Sequence, residues 1–423
     1  MKKKIYGVAG FPVLHSRSPE MFNRLFKNTE NIYTRFSSNN PKEIIKIIKD
    51  LGISGLNITT PLKEVIIEYI DYSSDDVVRT KAVNTIVYRD GALYGYNTDP
   101  AGVSNSILKK GINVRGKKSV VIGSGGAGRA AVCGLQDLGS KVYLTNRTGK
   151  KLDYYSELLN CDYFKINEIQ DQIKKADIVV NTAPFSLVKS VLKKMNGNQV
   201  LFNADYKEEI DIKLNPILID GLSWLLYQGA YSYKIFFKEE PDLQQMEDSI
   251  RKVNREKNQK KIILMGFMGS GKSTLGRYLG KISGKKWIDS DNFIELLTGK
   301  KIEDIFYQDG EGKFRKIEEK VLVDLLRIKK YPIISVGGGA VINKLNRILF
   351  KSNAINIWVW CSVNKIEERL MSGKRPLITK KSDIKRYYSN RIGFYGEVAD
   401  IVIPNTRDIK EVSKRIKMEL DWE

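Results

Sequence analysis

Short runs of β-branched and aliphatic residues alternate along this chain with longer segments in which apolar positions recur every three or four residues. The first pattern is that of a buried strand, the second that of a helix lying on a sheet. Strands are predicted at Lys4–Ala9, Ser119–Ile122, Lys141–Thr145 and Ile178–Asn181, and again at Lys261–Met265, Lys286–Asp289, Ile333–Val336, Ile355–Trp360 and Asp400–Ile403. Between them lie helix-length segments such as Arg129–Leu138, Trp224–Tyr233 and Thr274–Ser283. Strands this uniformly apolar, separated by helices, describe parallel sheets covered on both faces, so the expected fold class is α/β.

With 42% hydrophobic and 10% aromatic residues against 28% charged, the chain has ample surface to bury, which excludes disorder and coiled coil. A length of 423 residues predicts roughly two to four domains. No stretch approaches the ~18 apolar residues needed to cross a bilayer. The basic head Met1–Lys4 and the run from Ile5 to Leu14 imitate a signal peptide, but Gly7, Gly10 and Pro12 break the run and no cleavage pattern follows. Cys133, Cys161 and Cys361 have neither metal-type nor redox-type spacing. They read as reduced packing residues of a cytoplasmic protein. The net charge of +22 comes from 71 Lys+Arg against 49 Asp+Glu. Lysine is spread along the whole chain rather than gathered in a stripe, so neither nucleic acid nor membrane is an expected partner; anionic small molecules are.

Gly123, Gly125 and Gly128, with Gly126 and Ala127 between them, form G-x-G-x-x-G directly after one predicted strand and at the start of a helix. That context marks a Rossmann dinucleotide site: tight turn, close backbone approach to a pyrophosphate, and helix N–H groups facing the anion. About twenty residues on, where a carboxylate would hold the ribose hydroxyl of NAD, stand Asn146, Arg147, Thr148 and Lys151. Cations in place of the carboxylate favour the 2′-phosphate of NADP(H).

The first hundred residues carry polar clusters: His15-Ser16-Arg17-Ser18-Pro19, Asn57 to Lys63, Ala82-Val83-Asn84-Thr85 and Asn97-Thr98-Asp99. Together with the glycine loop, Asn146-Arg147-Thr148, Asn181 to Pro184 and Asp220-Gly221-Leu222 with Gln228, they resemble shikimate dehydrogenase over residues 5 to 250. The resemblance implies that Ser16 and Ser18 hold the substrate carboxylate, that Thr59, Asn84, Tyr206 and Gln228 contact ring substituents or the carboxylate, and that Lys63 and Asp99 are the catalytic pair. An ammonium beside a ketone that accepts hydride can stabilise and protonate the forming alkoxide. His15, the only histidine, is expected to serve the turn. Trp224 departs from the family's usual methionine beside the nicotinamide, and the span from 206 to 221 is shortened.

Gly266 to Ser273 matches G-x-x-x-x-G-K-[ST] between a predicted strand and a helix. Backbone N–H groups of Gly266, Gly269, Ser270, Gly271 and Thr274 would cradle phosphates, Lys272 would reach the β/γ oxygens and Ser273 would ligate Mg2+. Asp289-Ser290-Asp291, Phe314-Arg315 with Glu318, Gly337-Gly338-Gly339, Arg375-Pro376-Leu377 and Arg391 with Tyr395 to Ala399 resemble shikimate kinase over about 260 to 423. By that resemblance Asp289 supports Mg2+, Asp291 is the base, and Arg315, Arg391 and Gly337, Gly338 and Gly339 hold shikimate. Arg375 faces the phosphoryl group from a lid, Met371 to Lys374, that is slightly short for the family. Arg369 is expected to be a generic helix or lid charge, and Gly393 replaces the family's usual proline.

The expected modules are a substrate domain of 1–101 with about 225–250, an NADP-binding Rossmann domain of 102–224, a linker at 251–258 and a P-loop kinase domain with a parallel sheet at 259–423. The main boundary falls near 257. The two resemblances imply NADPH-dependent reduction of 3-dehydroshikimate to shikimate, then ATP- and Mg2+-dependent phosphorylation to shikimate 3-phosphate, with a homodimer left open. Two alternatives stay open from the sequence: a quinate/shikimate dehydrogenase half using NAD, and a nucleotide-sensing regulator with a silent site.

Overall fold

The computed structural model describes residues 3–206, 216–252, 261–371 and 381–422. Its contacts group into two compact units: Met1–Pro19, Phe26–Thr60 and Asn254–Glu423 in the first, Glu20–Leu25 and Pro61–Val253 in the second. No helix among the described residues is long and apolar enough to cross a membrane.

The first unit is organised by a parallel sheet with strands in the order Trp287–Asp289, Ile333–Ser335, Lys261–Met265, Ala354–Trp360, Ile401–Pro404, Asn31–Ser37, Lys4–Gly10 and Gly55–Ile58. The predicted strands of this unit are present, with ends shifted by a residue at most. Ala354–Trp360 is buried at every position, as a central strand covered on both faces must be. The grouping divides the chain between Val253 and Asn254 and also places the N-terminal strands with the segment that follows, through one strand pairing. Ile401–Pro404 lies parallel to Asn31–Ser37, with Val402 opposite Phe36, so the sheet of the P-loop segment continues into the N-terminal strands. A strand that would otherwise present an open edge is thereby paired.

Side chains seal that junction. Thr34 Oγ1 donates to the Ala399 carbonyl at 2.9 Å. Glu43 accepts from Thr406 Oγ1 at 2.7 Å, Arg407 Nε at 3.0 Å and Arg415 Nη1 at 3.3 Å, and both Glu43 and Arg415 are buried. Gly393 sits on helix Lys381–Val398, where a Cβ would stand 3.1 Å from Lys3 Cβ, so the helix passes close to the start of the N-terminal segment.

Burial alone would raise the Glu43 carboxyl, but hydrogen bonds from Ser38 and Thr406 and the two arginines hold it below its ordinary value. Its contribution to stability is therefore complete above pH ~4.5 and lost as pH falls through the lower folded value. Glu43→Ala, which leaves Arg415 with the Ser37 carbonyl at 3.2 Å but without its carboxylate partner at 3.3 Å, should cost about 3 kcal/mol in urea unfolding at pH 7; a loss under about 1 kcal/mol would mean that solvent replaces the pair.

The second unit holds a six-stranded parallel sheet in the order Ile217–Ile219, Val200–Asn203, Ile178–Asn181, Lys118–Ile122, Lys141–Thr145, Asp162–Tyr163. Val120, Val121, Leu144, Val180 and Phe202 fill its two faces. Helix Gly126–Asp137 crosses helix Asp99–Lys109 closely at Gly134, where a Cβ would stand 2.6 Å from the Pro100 carbonyl. A hairpin, Thr85–Arg89 with Ala92–Tyr96, turns through Asp90 and Gly91, both at positive φ. Helix Gly221–Phe237 contains the predicted Trp224–Tyr233 and runs beyond it, packing along Asp99–Lys109 and against Met21 and Phe22. Burial pushes the thiols of Cys133 and Cys161 up to about 11 and 12, which makes them packing groups rather than nucleophiles.

Candidate active sites

In the second unit, Lys63 on the short helix Leu62–Val65 donates from Nζ to Asp99 Oδ2 at 2.5 Å. Asp99 opens helix Asp99–Lys109, and its backbone N–H is held by Asn97 Oδ1 at 3.1 Å. Asp99 Oδ1 accepts from Trp224 Nε1 at 3.1 Å, so both carboxylate oxygens are committed in a buried setting. Next to them Asn84 donates to Thr98 Oγ1 at 2.9 Å and to Gln228 Oε1 at 3.4 Å, and accepts the Thr98 N–H at 2.8 Å. Thus Lys63, Asn84, Asp99 and Gln228, scattered over the sequence, converge. Tyr206 lies half-buried just beyond strand Val200–Asn203. Ser16, Ser18 and Thr59 belong to the first unit, where the two serines are buried with their hydroxyls 3.3 Å apart.

The glycine loop reaches the same lysine. A Cβ on Gly126 would stand 3.6 Å from Lys63 Cδ. A Cβ on Gly128 would fall 1.8 Å from the Gly123 carbonyl, which only glycine permits, while Gly125, which caps the helix, faces open space. Asn146 Nδ2 donates to Ser124 Oγ at 2.6 Å and fixes the next turn to this loop, leaving Arg147, Thr148 and Lys151 exposed. An open loop at a helix N-terminus, followed by exposed cations with no carboxylate among them, fits NADP(H).

Two residues here escaped sequence reasoning. Arg129 is buried and donates to the carbonyls of Thr80 at 2.6 Å, Lys81 at 3.2 Å and Ser124 at 2.8 Å, tying the glycine loop to the turn that leads into Asn84. Trp224 was visible only as a departure from methionine; its role depends on a contact with Asp99 that no local pattern carries. Trp224→Phe should keep the packing on Phe202 and lose the hydrogen bond, lowering kcat of the reaction at the Lys63/Asp99 site about 5-fold at unchanged melting temperature. A kcat within twofold of the parent would reduce Trp224 to packing.

In the first unit, Gly266, Gly269 and Gly271 adopt positive φ around the phosphate loop. The loop is held from outside by Asn405 Nδ2 on the Ser270 carbonyl at 2.7 Å and by Arg369 Nη1 on the Gly269 carbonyl at 2.8 Å. Arg369, expected to be a generic charge, therefore touches the loop itself. Lys272 Nζ donates to the Phe267 carbonyl at 3.1 Å, Thr274 lines the same hollow, and Ser273 Oγ donates to Asp289 Oδ2 at 2.5 Å. The buried Ser270 Oγ has no protein partner among the described residues. This donor-rich loop suits a triphosphate, and a hydroxyl beside a carboxylate suits Mg2+.

Two adjoining cavities meet here. One, of about 640 Å³, is lined by the phosphate loop and Arg369. The other, of about 660 Å³, is lined by Arg315, Glu318, Arg391 and the Gly337–Gly339 turn. Ser273, Asp289 and Asp291 border both. Burial, and then the Asp289 carboxylate, push Asp291 up to about 6, and burial pushes Glu318 up to about 7 against the pull of Arg315. Arg315 donates to Glu318 Oε2 at 2.7 Å, while Arg391 and Tyr395 donate to the Gly338 carbonyl. The glycine turn is needed for room: a Cβ on Gly337 would lie 2.7 Å from Asp291 Oδ1, and one on Gly339 2.3 Å from Arg315 Nη2. Arg375 and the expected lid from 372 onward lie outside the described residues.

A dinucleotide-binding oxidoreductase is thus joined to a P-loop phosphotransferase. Comparison with known proteins narrows both. Residues 8–86 match the shikimate dehydrogenase substrate binding domain, 113–205 the NADPH-binding domain of acetohydroxy acid isomeroreductase, and 268–421 shikimate kinase. The NADP+-dependent shikimate dehydrogenase of Aquifex aeolicus is 35% identical over 247 residues, covering 55% of this chain and 91% of that protein. A crystal structure of shikimate dehydrogenase from Aquifex aeolicus matches with TM-score 0.55 at 33% identity, over 59% of this chain and 98% of that one. The enzyme from Thermus thermophilus, in complex with NADP(H) and shikimate, matches with TM-score 0.52 at 25% identity, over 59% and 98%. The chain belongs to the shikimate dehydrogenase family and carries a shikimate kinase domain at its C-terminal end.

Proposed function

We propose that this bifunctional shikimate-pathway enzyme divides its two reactions between the Lys63/Asp99 cluster and the Asp291 cavity. When bound, NADPH supplies the hydride for the first reaction and Mg2+-ATP the phosphoryl group for the second. The observation that carries the first assignment is the Lys63–Asp99 contact beside the glycine loop. Lys63 gives its proton to the oxygen of 3-dehydroshikimate as the ketone becomes a hydroxyl, and Asp99 holds that ammonium in place and aims it. Asn84 and Gln228, already hydrogen-bonded to each other, orient the ring hydroxyls, with Thr59 and Tyr206 as further contacts. Ser16 and Ser18 take the carboxylate.

In the second reaction Arg315 and Arg391 bind the shikimate carboxylate, as planar guanidinium groups suit it. Asp291 accepts the proton of the reacting hydroxyl; its raised affinity for protons fits a base. Lys272 would face the phosphate oxygens, and Ser273 and Asp289 would hold Mg2+. The domain limits of this reading are 1–101 with about 225–250, 102–224 and 259–423, and its site is the cytoplasm, where the free cysteines stay reduced.

The test supplies 3-dehydroshikimate and NADPH, follows nicotinamide absorbance, then adds ATP and Mg2+ and measures ADP and shikimate 3-phosphate. Stoichiometric NADPH consumption followed by ADP release is expected. NADH or quinate preferred in the first step would replace the dehydrogenase assignment, and ligand binding without turnover would replace both.

A further inference from the structure

The segment matching shikimate kinase ends at residue 421, and its last helix, Ile409–Glu419, delivers a carboxylate into the dehydrogenase segment. Glu419 is 5% exposed. Its Oε2 accepts the backbone N–H of Val13 at 2.8 Å and of Leu14 at 2.8 Å, and its Oε1 accepts that of Val13 at 3.1 Å. Val13 and Leu14 are buried, so these N–H groups need an acceptor, and a carboxylate serving two consecutive N–H groups makes a strong one.

From Leu14 the chain passes directly into the turn His15 to Ser18. Ser16 N–H donates back to the Val13 carbonyl at 3.0 Å, and Ser18 N–H donates to Ser16 Oγ at 3.4 Å. A second tie meets the same turn. Buried Arg35 donates from Nε and Nη2 to the Ser16 carbonyl at 3.0 and 2.6 Å, and from Nη1 to the Asp400 carbonyl at 3.3 Å, at the entry to kinase strand Ile401–Pro404.

We propose that the terminal helix of the kinase domain is a positioning element of the dehydrogenase site: Glu419 fixes the Val13–Ser18 turn and thereby sets the affinity for the carboxylate of 3-dehydroshikimate and shikimate. The inference rests on the reading that Ser16 and Ser18 bind that carboxylate. Loss of Glu419 loosens the turn and leaves chemistry at Lys63 and binding of the dinucleotide untouched. The effect is on KM for the cyclic acid rather than on kcat.

The experiment uses the full chain and assays shikimate oxidation with NADP+ alongside shikimate phosphorylation. Glu419→Ala should raise the dehydrogenase KM for shikimate about 10-fold, the equivalent of one charge-assisted hydrogen bond, with kcat, KM for NADP+ and both kinase constants within twofold. Glu419→Gln, which keeps one acceptor oxygen, should recover most of the loss. If Glu419→Ala does not fold, Arg35→Lys, which cuts the second tie, should show the same selective rise. An unchanged KM for shikimate, or a parallel rise in KM for NADP+, overturns the proposal. Ser16→Ala separates the two claims. If it leaves KM for shikimate unchanged, the carboxylate assignment falls and the inference falls with it. If it raises KM while Glu419→Ala does not, the inference alone falls.

Discussion

Lys63→Ala should lower the rate of 3-dehydroshikimate reduction by about 10³, with KM for NADPH and the whole of the kinase activity unchanged. Lys63 is held by Asp99 at 2.5 Å in a setting from which most water is excluded, and its stem lies against the start of the glycine-loop helix. An ammonium so placed acts twice, stabilising the negative oxygen that forms from the ketone and then giving it a proton. Alanine removes both effects and leaves the Asp99 carboxylate, among the described residues, with Trp224 as its side-chain donor. The measurement is single-turnover NADPH oxidation across about pH 6–9. A variant that keeps more than about a tenth of the parent rate would remove Lys63 from proton transfer.

Asp291→Asn should lower phosphorylation of shikimate by about 10² to 10³ and leave reduction at the parental rate. The amide keeps the shape of the carboxylate, so the cavity that Gly337 leaves open beside it stays intact. What disappears is the acceptor for the hydroxyl proton. Asp291 stands where the acceptor and phosphate cavities adjoin, a short reach from either, and burial makes its charged form costly. Neutralising it also removes repulsion from Asp289, so shikimate and ATP should bind at least as well as before. KM values unchanged with kcat reduced would locate the loss in the chemical step. A kcat within threefold of the parent would assign the base elsewhere.

Much of the molecule was legible before folding because its signals are local. A buried parallel strand must be apolar on both faces, so Lys141–Thr145, Ile178–Asn181 and Lys261–Met265 stand in the structure with the predicted limits. A loop that lets backbone approach phosphate needs glycine at particular positions, and Gly123 to Gly128 and Gly266 to Ser273 supply them. Other features left no local mark. Trp224 looked like a mere departure, although its indole N–H completes the hydrogen bonding of Asp99. Arg129 stood only as the first residue of a predicted helix, although its guanidinium joins three carbonyls across the turn at Thr80 and the glycine loop. Arg369 looked like surface charge, although it meets the Gly269 carbonyl.

The amino-acid order by itself determined the two nucleotide loops, the polar clusters around them and the alternation that makes both sheets parallel, because each depends on residues close together along the chain. Only the tertiary structure decided that Ile401–Pro404 lies against Asn31–Ser37 and that Glu419 reaches the N–H groups of Val13 and Leu14. Those contacts join residues hundreds of positions apart. A strand edge and two buried N–H groups can be satisfied by many acceptors, and which one meets them is set by how whole layers pack rather than by any pattern within a segment.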